Sequence, residues 1–244
     1  MKLIKEDRPV YSLTNYMLLG RTLYYIPYLS MIHPGRVIST FVGLDVIVEI
    51  LTGNGAAKIA NLSNSPEQIR IGNGLIRASL LLQIVLFALF VSLEVIFHMR
   101  LIKAGIMNKK LKVVVALLYG SSALILVRNI YRCIEVWQGY TGYLQRHEAF
   151  FYVFDAGLML ANTVMLNIWH PARYLPKSNK TYLAKDGVTE LEGPGWVDPR
   201  PWWVTTLDPF DVVGLIKGKD KKTAFWENES AQAETVRAKE VSNA

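Results

Sequence analysis

Five apolar stretches, separated by shorter polar segments, organise the first 176 residues of the chain. They run over residues 11–32, 37–51, 74–97, 112–131 and 150–169. About twenty residues of helix, rising about 1.5 Å each, cross a hydrocarbon core about 30 Å thick. The pattern therefore predicts an all-α, polytopic membrane helical bundle with about five transmembrane helices. A loop containing Gly53, Gly55 and Pro66 is predicted between the second and third stretches.

Residues 177–244 differ in composition from the apolar region and predict a separate tail. They are rich in Pro, Gly and Trp and then become a charged run. No apolar periodicity there is long enough for a hydrophobic core, so we expect the tail to be mostly disordered. The predicted organisation is a transmembrane domain over residues 1–176 and a tail over residues 177–244.

The charge distribution predicts how the helices are oriented. Residues 1–176 contain 17 Lys and Arg against 9 Asp and Glu, whereas residues 177–244 contain 10 against 11. The loop from Arg100 to Lys112 has five basic residues and no acidic residue, so the positive-inside rule places it in the cytoplasm. Alternation of five spans then places the tail in the cytoplasm and the N-terminus outside. The basic excess follows the apolar spans and forms no separate basic face, so we expect no nucleic-acid partner.

The candidate chemistry lies in charges inside the spans or at their ends. Seven such residues are Arg21, Asp45, Arg128, Arg132, Glu135, Glu148 and Asp155. The spacings of four and three from Arg128 to Arg132 and Glu135 place these three on one helix face. Because an unpaired charge facing lipid costs about 2.5 kcal/mol or more, opposite charges should pair inside the bundle. The pairs either fasten helices together or form a headgroup site, where acids hold an amine and arginines hold a phosphate or sulfate.

Other kinds of site receive little support from the sequence. Three imidazoles near span ends could bind zinc in a lipid hydrolase, namely His33, His98 and His170. None has the spacing of a metalloprotease motif, and no phosphate-binding loop or nucleophile elbow is present. We therefore expect no catalysis, no metal site and no cofactor.

The chain contains three N-glycosylation sequons, and which of them is modified depends on the orientation of the helices. Asn61-Leu-Ser lies in a predicted outer loop, so Asn61 is a glycosylation candidate. Asn179-Lys-Thr and Asn228-Glu-Ser lie on the predicted cytoplasmic side and should remain unmodified.

The charged corner carries a resemblance to a known family. The matching residues are Arg128-x-x-Tyr-Arg-x-x-Glu, Gly139, Gly142, Glu148, Tyr152, Asp155 and His170-Pro, with Gly20-Arg21, Pro27 and Phe41-x-x-x-Asp45 upstream. Together they resemble the fungal RTA-like (aminocholesterol-resistance) family of lipid-translocating exporters. The resemblance covers residues 11–176.

The resemblance implies an integral membrane protein, of the plasma membrane, with a cytoplasmic C-terminus. Compared with the family, this chain is expected to lack the first two spans. The implied function is movement of amphipathic membrane lipids, such as sphingoid bases or sterol analogues, without ATP and linked to stress resistance. The seven charged residues named above are our candidates for binding such a lipid, five of them as the headgroup site and Asp45 and Arg21 as deeper partners. The alternatives are a heptahelical receptor-like lipid sensor and a zinc-dependent lipid hydrolase.

Overall fold

The computed structural model describes residues 8–30, 34–61, 63, 65–139, 142–176, 178–184 and 187–192. The described residues contain seven α-helices: α1 (Arg8–Tyr25), α2 (Pro34–Ala60), α3 (Pro66–Lys103), α4 (Lys109–Gln138), α5 (Tyr143–Arg146), α6 (Glu148–Phe151) and α7 (Leu158–Ile168). A π-helix over Tyr152–Gly157 joins α6 to α7, and 3-10 turns cover Pro27–Leu29 and Pro171–Arg173. Two short strands follow, β1 (Thr181–Leu183) and β2 (Glu190–Glu192).

In the part of the chain that the structure describes, four helical segments are long and apolar enough to cross a membrane. They are Val37–Ala60, Pro66–Lys103, Lys109–Gln138 and Ala149–Arg173. The all-α polytopic bundle predicted from the sequence is thereby confirmed, and the chain is an integral membrane protein.

The first predicted span, residues 11–32, is helical over Arg8–Tyr25 and is absent from those four segments. Its helix buries polar side chains, including Ser12, Asn15 and Thr22, which lowers its hydropathy. A helix that contacts other helices instead of lipid tolerates this composition. That α1 crosses the membrane stays a prediction.

α2 and α3 extend well beyond the second and third predicted spans, so the segment between the two helices is much shorter than the predicted loop. Gly53 and Gly55 lie inside α2, not in a loop, and α3 already begins at Pro66. A Cβ atom on Gly55 would lie 2.9 Å from the Gly72 carbonyl oxygen, and one on Gly72 would lie 2.8 Å from the Gly55 oxygen. The two backbones therefore touch at a glycine crossing, which compensates for the low helix propensity of glycine.

The chain divides into two compact units. The first comprises the described residues of Met1–Tyr16, Phe41–Val95 and Val115–His170. Its core includes three mutually packed rings from α1, α2 and α3: Tyr16 lies 5.1 Å from Phe41 and 5.0 Å from Phe90, centroid to centroid. Phe41 and Phe90 are 5.5 Å apart.

The second unit comprises the described residues of Met17–Thr40, Ile96–Val114 and Pro171–Ala244. Here the sequence missed an antiparallel hairpin formed by β1 and β2. The Tyr25 hydroxyl donates a hydrogen bond of 2.9 Å to Glu190 Oε1, and the Tyr28 hydroxyl donates one of 3.2 Å to the Ala184 carbonyl. The beginning of the predicted tail is thus attached to the end of α1. Residues 193–244 lie outside the described residues.

Candidate functional site

The candidate site is built on one face of α4, within the first unit. Arg128, Arg132 and Glu135 follow one another at spacings of four and three, so one helical turn separates each from the next. α4 continues to Gln138, beyond the predicted end of the span at residue 131, and this keeps Arg132 and Glu135 on the helix. Arg128 and Glu135 are each 7% exposed, so the face is turned toward protein.

Asp155 binds both arginines of this face. Arg128 Nε donates a hydrogen bond of 2.6 Å to Asp155 Oδ1, and Arg132 donates through a terminal nitrogen to Asp155 Oδ2. The other terminal nitrogen of Arg132 lies 3.2 Å from Glu135 Oε2. The four residues, called here the ion cluster, balance two positive against two negative charges. Such mutual neutralisation is what permits charge in a bundle core.

Two buried hydrogen-bond donors, one in the ion cluster and one beside it, have no acceptor among the described residues. Arg132 Nε and the hydroxyl of the adjacent Tyr131 are buried and have no hydrogen-bond partner among the described residues. A buried donor without an acceptor costs about 1–3 kcal/mol, so a hydrogen bond from either atom to an oxygen of a ligand or a water molecule would be favourable.

Asp155 is presented by a π-helix. The residues Tyr152–Gly157 form a six-residue π-helical segment between α6 and α7. The π-helix is rare and occurs most often as a single widened turn at a functional site. Sequence periodicity misses such a turn because it assumes 3.6 residues per turn throughout.

Aromatic rings flank the ion cluster. The Arg132 guanidinium lies 5.3 Å from the centroid of the Phe151 ring, a cation–π contact. Tyr131 stacks on Phe154 at 5.5 Å, and Phe154 stacks on Phe150 at 6.4 Å. Charged groups therefore lie directly beside a flat apolar surface, which is the combination of properties that an amphipathic lipid requires.

The remaining sequence candidates are placed elsewhere. Asp45 is half-buried on α2 beside the Tyr16 hydroxyl, with Glu49 one turn away. Arg21 is exposed on α1 and belongs to the second unit. Glu148 begins α6, but its side chain lies outside the described residues. The structure thus brings together Arg128, Arg132, Glu135 and Asp155.

Two of the three histidines of the zinc alternative, His98 and His170, lie among the described residues. Among the residues that the structure describes, no group of three His, Cys, Asp or Glu side chains is arranged to hold a metal ion. His98 belongs to the second unit and His170 to the first, while His33 lies outside the described residues.

A second polar cluster of the first unit was missed by the sequence reading. Ser122 Oγ donates a hydrogen bond of 2.9 Å to Glu94 Oε2 and accepts one of 3.4 Å from Asn15 Nδ2. Ser121 Oγ donates a bond of 2.6 Å to Asn15 Oδ1. Glu94 is the only acidic residue within the most apolar stretch, residues 74–97, and that isolation was the available signal.

Comparison with known families identifies the chain. The family model described as RTA1 like protein matches residues 9–178. The chain belongs to the RTA1-like family. The resemblance noted in the charged corner is thereby confirmed, and it places the chain in a transporter-like family of membrane proteins.

Several relatives of this RTA1-like protein have descriptive names. It is 39% identical over 229 residues to the lipid-translocating exporter-like protein RTA1 of Leptosphaeria maculans, covering 87% of this chain and 44% of that protein. It is 32% identical over 240 residues to the protein of the same name from Ajellomyces capsulatus, covering 93% and 74%. The sphingoid long-chain base transporter RSB1 of Saccharomyces cerevisiae is 35% identical over 109 residues, covering 45% and 25%.

The RTA1-like chain thus spans less than half of the Leptosphaeria protein and 74% of the Ajellomyces protein. No solved structure matches it.

Proposed function

We propose that this RTA1-like protein moves amphipathic lipids, such as sphingoid bases or sterol analogues, between membrane leaflets without ATP and without catalysing a reaction. The ion cluster is the proposed headgroup site, with Glu148 and Asp45 as further proposed contacts in the first unit and Arg21 as a separate candidate in the second unit. The observation that carries the proposal is a buried, charge-balanced cluster with unsatisfied donors beside stacked aromatic rings. The names of its relatives, an exporter-like protein and a sphingoid base transporter, support the choice of substrate class.

The acids of the ion cluster differ in how fully they are occupied. Both Asp155 oxygens accept hydrogen bonds from arginines, whereas Glu135 has one oxygen bound to Arg132. Glu135 is therefore the acid best able to accept an ammonium group. Hydroxyl or phosphate oxygens of the same headgroup would accept from Arg132 Nε and Tyr131, the two donors left unsatisfied. Asp155 has the distinct role of holding both guanidinium groups in position.

The lipid chain is expected to lie on the apolar surface outside the ion cluster. Tyr152 and Val153 of the π-helix are about three-fifths exposed, and Trp137 at the end of α4 is nearly half exposed. In a membrane protein such surfaces face acyl chains, and aromatic side chains favour the headgroup level. We propose that the C-terminus lies in the cytoplasm, as the distribution of basic residues favours. The plasma membrane is the proposed location on the ground of the family resemblance alone.

The test is lipid movement in vesicles. The purified chain is reconstituted, and a fluorescent sphingoid base is followed between leaflets in the absence of ATP. We expect acceleration over empty vesicles that Asp155→Asn reduces by about tenfold or more, since the charge-assisted hydrogen bonds it loses are worth about 1.5–3 kcal/mol each. The control is Glu192→Gln, which removes an exposed carboxylate on β2 and should leave the rate of lipid movement unchanged.

A double variant separates binding from helix fastening. Arg128→Gln combined with Asp155→Asn keeps the charge of the ion cluster balanced and leaves the Arg132–Glu135 pair in place. If the ion cluster binds the headgroup, the folded double variant should remain slow. Recovery of the rate would show that the Arg128–Asp155 pair only fastens α4 to the π-helix. Binding of the fluorescent lipid by the wild type without net movement would instead indicate a lipid sensor.

A further inference from the structure

Glu94 of α3 is a buried carboxyl group that has no counter-charge among the described residues. The residue is 1% exposed, and Phe90, one turn earlier on the same helix, is fully buried. This contrasts with Asp155, which two arginines neutralise. An ionised carboxylate in such surroundings is strongly unfavourable unless a proton or another cation neutralises it.

The surrounding hydrogen bonds assign the two carboxyl oxygens different roles. They form a directed chain in which Ser121 donates to Asn15, Asn15 donates to Ser122, and Ser122 donates to Glu94 Oε2. Because Ser122 already accepts from Asn15, its hydroxyl hydrogen is free for Oε2. Glu94 Oε1 is buried and has no hydrogen-bond partner among the described residues. A proton on Glu94 therefore belongs on Oε1.

Among the described residues, no lysine or arginine is paired with Glu94. From α4 it meets Ser122 and the titratable Tyr119, and from α1 it meets Asn15 through Ser122. Tyr16 of α1 packs on Phe90, one turn before Glu94, and has Asp45 of α2 beside its hydroxyl. On α3 itself, His98 follows one turn later. The titratable side chains named here are thus two phenols, a carboxyl group and an imidazole, and none of them is a lysine or an arginine.

We propose that Glu94 is a proton-exchange site and that it couples lipid movement to the proton gradient. The coupling, unlike the proton exchange itself, rests on the proposed function. In the resting state of the cycle the proton is on Oε1. In the exchange step this bond breaks and the proton passes to a water molecule that reaches Oε1, leaving a carboxylate that retains the Ser122 hydrogen bond. The reverse step restores the neutral acid, so one proton is bound and released per cycle.

The first test reads the proton directly and does not depend on transport. Infrared spectra of the reconstituted full chain are recorded across a pH series, and the carbonyl stretch of a protonated carboxyl group is followed. The wild type should show a band that shifts in deuterated water and disappears as the pH rises. Glu94→Gln should abolish the band, whereas Asp155→Asn should leave it. Ser122→Ala keeps the carboxyl group and should move the pH midpoint of the band.

The second test measures coupling. Across a gradient of about one pH unit, the wild type should move the fluorescent sphingoid base faster in one direction by up to about tenfold, and Glu94→Gln should show no preference. Addition of sodium at constant pH should change neither the band nor the rate.

Three results would overturn the proton site: no band assignable to Glu94, a band indifferent to pH, or a band removed by sodium. Equal direction ratios in wild type and Glu94→Gln would refute the coupling. A titrating band in a protein that moves no lipid would support the proton site and refute the proposed function instead.

Discussion

The glycine crossing between α2 and α3 gives the sharpest test of the packing. Replacing Gly72 by Ala would place a Cβ atom 2.8 Å from the Gly55 carbonyl oxygen and 3.1 Å from Lys58 Cβ. Ordinary van der Waals contact begins at 3.4 Å, and the carbonyl oxygen is backbone, so the two helices must separate by about half an ångström. Gly74, two residues later on the same helix, has nothing within 4 Å of an added Cβ and supplies the matched control.

The expected free energies of unfolding follow from these distances. Overpacking typically costs about 1–3 kcal/mol, whereas Ala gains about 0.5–1 kcal/mol over Gly in a helix. Gly74→Ala should therefore be neutral or stabilising, and Gly72→Ala should be less stable than Gly74→Ala by about 1–3 kcal/mol. For a chain of this size the difference corresponds to roughly 2–12 °C in melting temperature.

The assay is thermal unfolding of the detergent-solubilised variants. It is followed by the fluorescence of a thiol probe on Cys133, the single cysteine of the chain, which is free and partly buried, or by loss of the monodisperse peak in size-exclusion chromatography. Gly55→Ala and Gly53→Ala form a second matched pair on α2, because a Cβ on Gly53 also meets nothing within 4 Å. Equal stability of the members in both pairs would show that the helices do not cross at these glycines.

Two further predictions concern the ends of the helices. Tyr25→Phe removes the hydrogen bond of 2.9 Å to Glu190, so we expect a loss of about 0.5–1.5 kcal/mol and faster limited proteolysis within residues 178–192; unchanged proteolysis would argue against an attached hairpin. Asn61 is exposed after α2 and accepts hydrogen bonds from the Ser63 backbone and hydroxyl, so in a eukaryotic host Asn61→Gln and Ser63→Ala should each abolish a glycan-dependent mobility shift. Modification at Asn179 in place of Asn61 would reverse the proposed orientation.

The ion cluster shows how far sequence reasoning reaches into a membrane site. The spacing of Arg128, Arg132 and Glu135 placed them on one face of α4, because helix geometry is local. The requirement that buried charges be neutralised then indicated an acidic partner from another helix. It did not select Asp155 over Glu148 or Asp45, because that choice depends on how α4 and the π-helix pack. The π-helix itself gives no periodic signal over its six residues.

The glycine-rich segment after residue 51 shows the opposite outcome. Gly53 and Gly55 predicted a loop, since glycine lowers helix stability in an isolated chain. In the structure α2 continues through both, because Gly55 meets Gly72 of α3 at backbone contact. The low helix propensity of glycine was outweighed by a backbone contact that exists only when α2 and α3 are packed together.

The sequence by itself determined that the chain is a helical membrane protein, since a hydrocarbon core demands long apolar helices and tolerates few charges. The residues of the charged corner also carried the resemblance to the RTA1-like family that the family model confirms. Tertiary structure decided which charges neutralise one another and which are left alone. Asp155 lies 27 residues after Arg128 yet binds it, whereas Glu94 packs against Ser122 and meets no cation among the described residues. Both outcomes depend on the register between helices, which is fixed by side-chain packing over the whole bundle and by no single stretch of sequence.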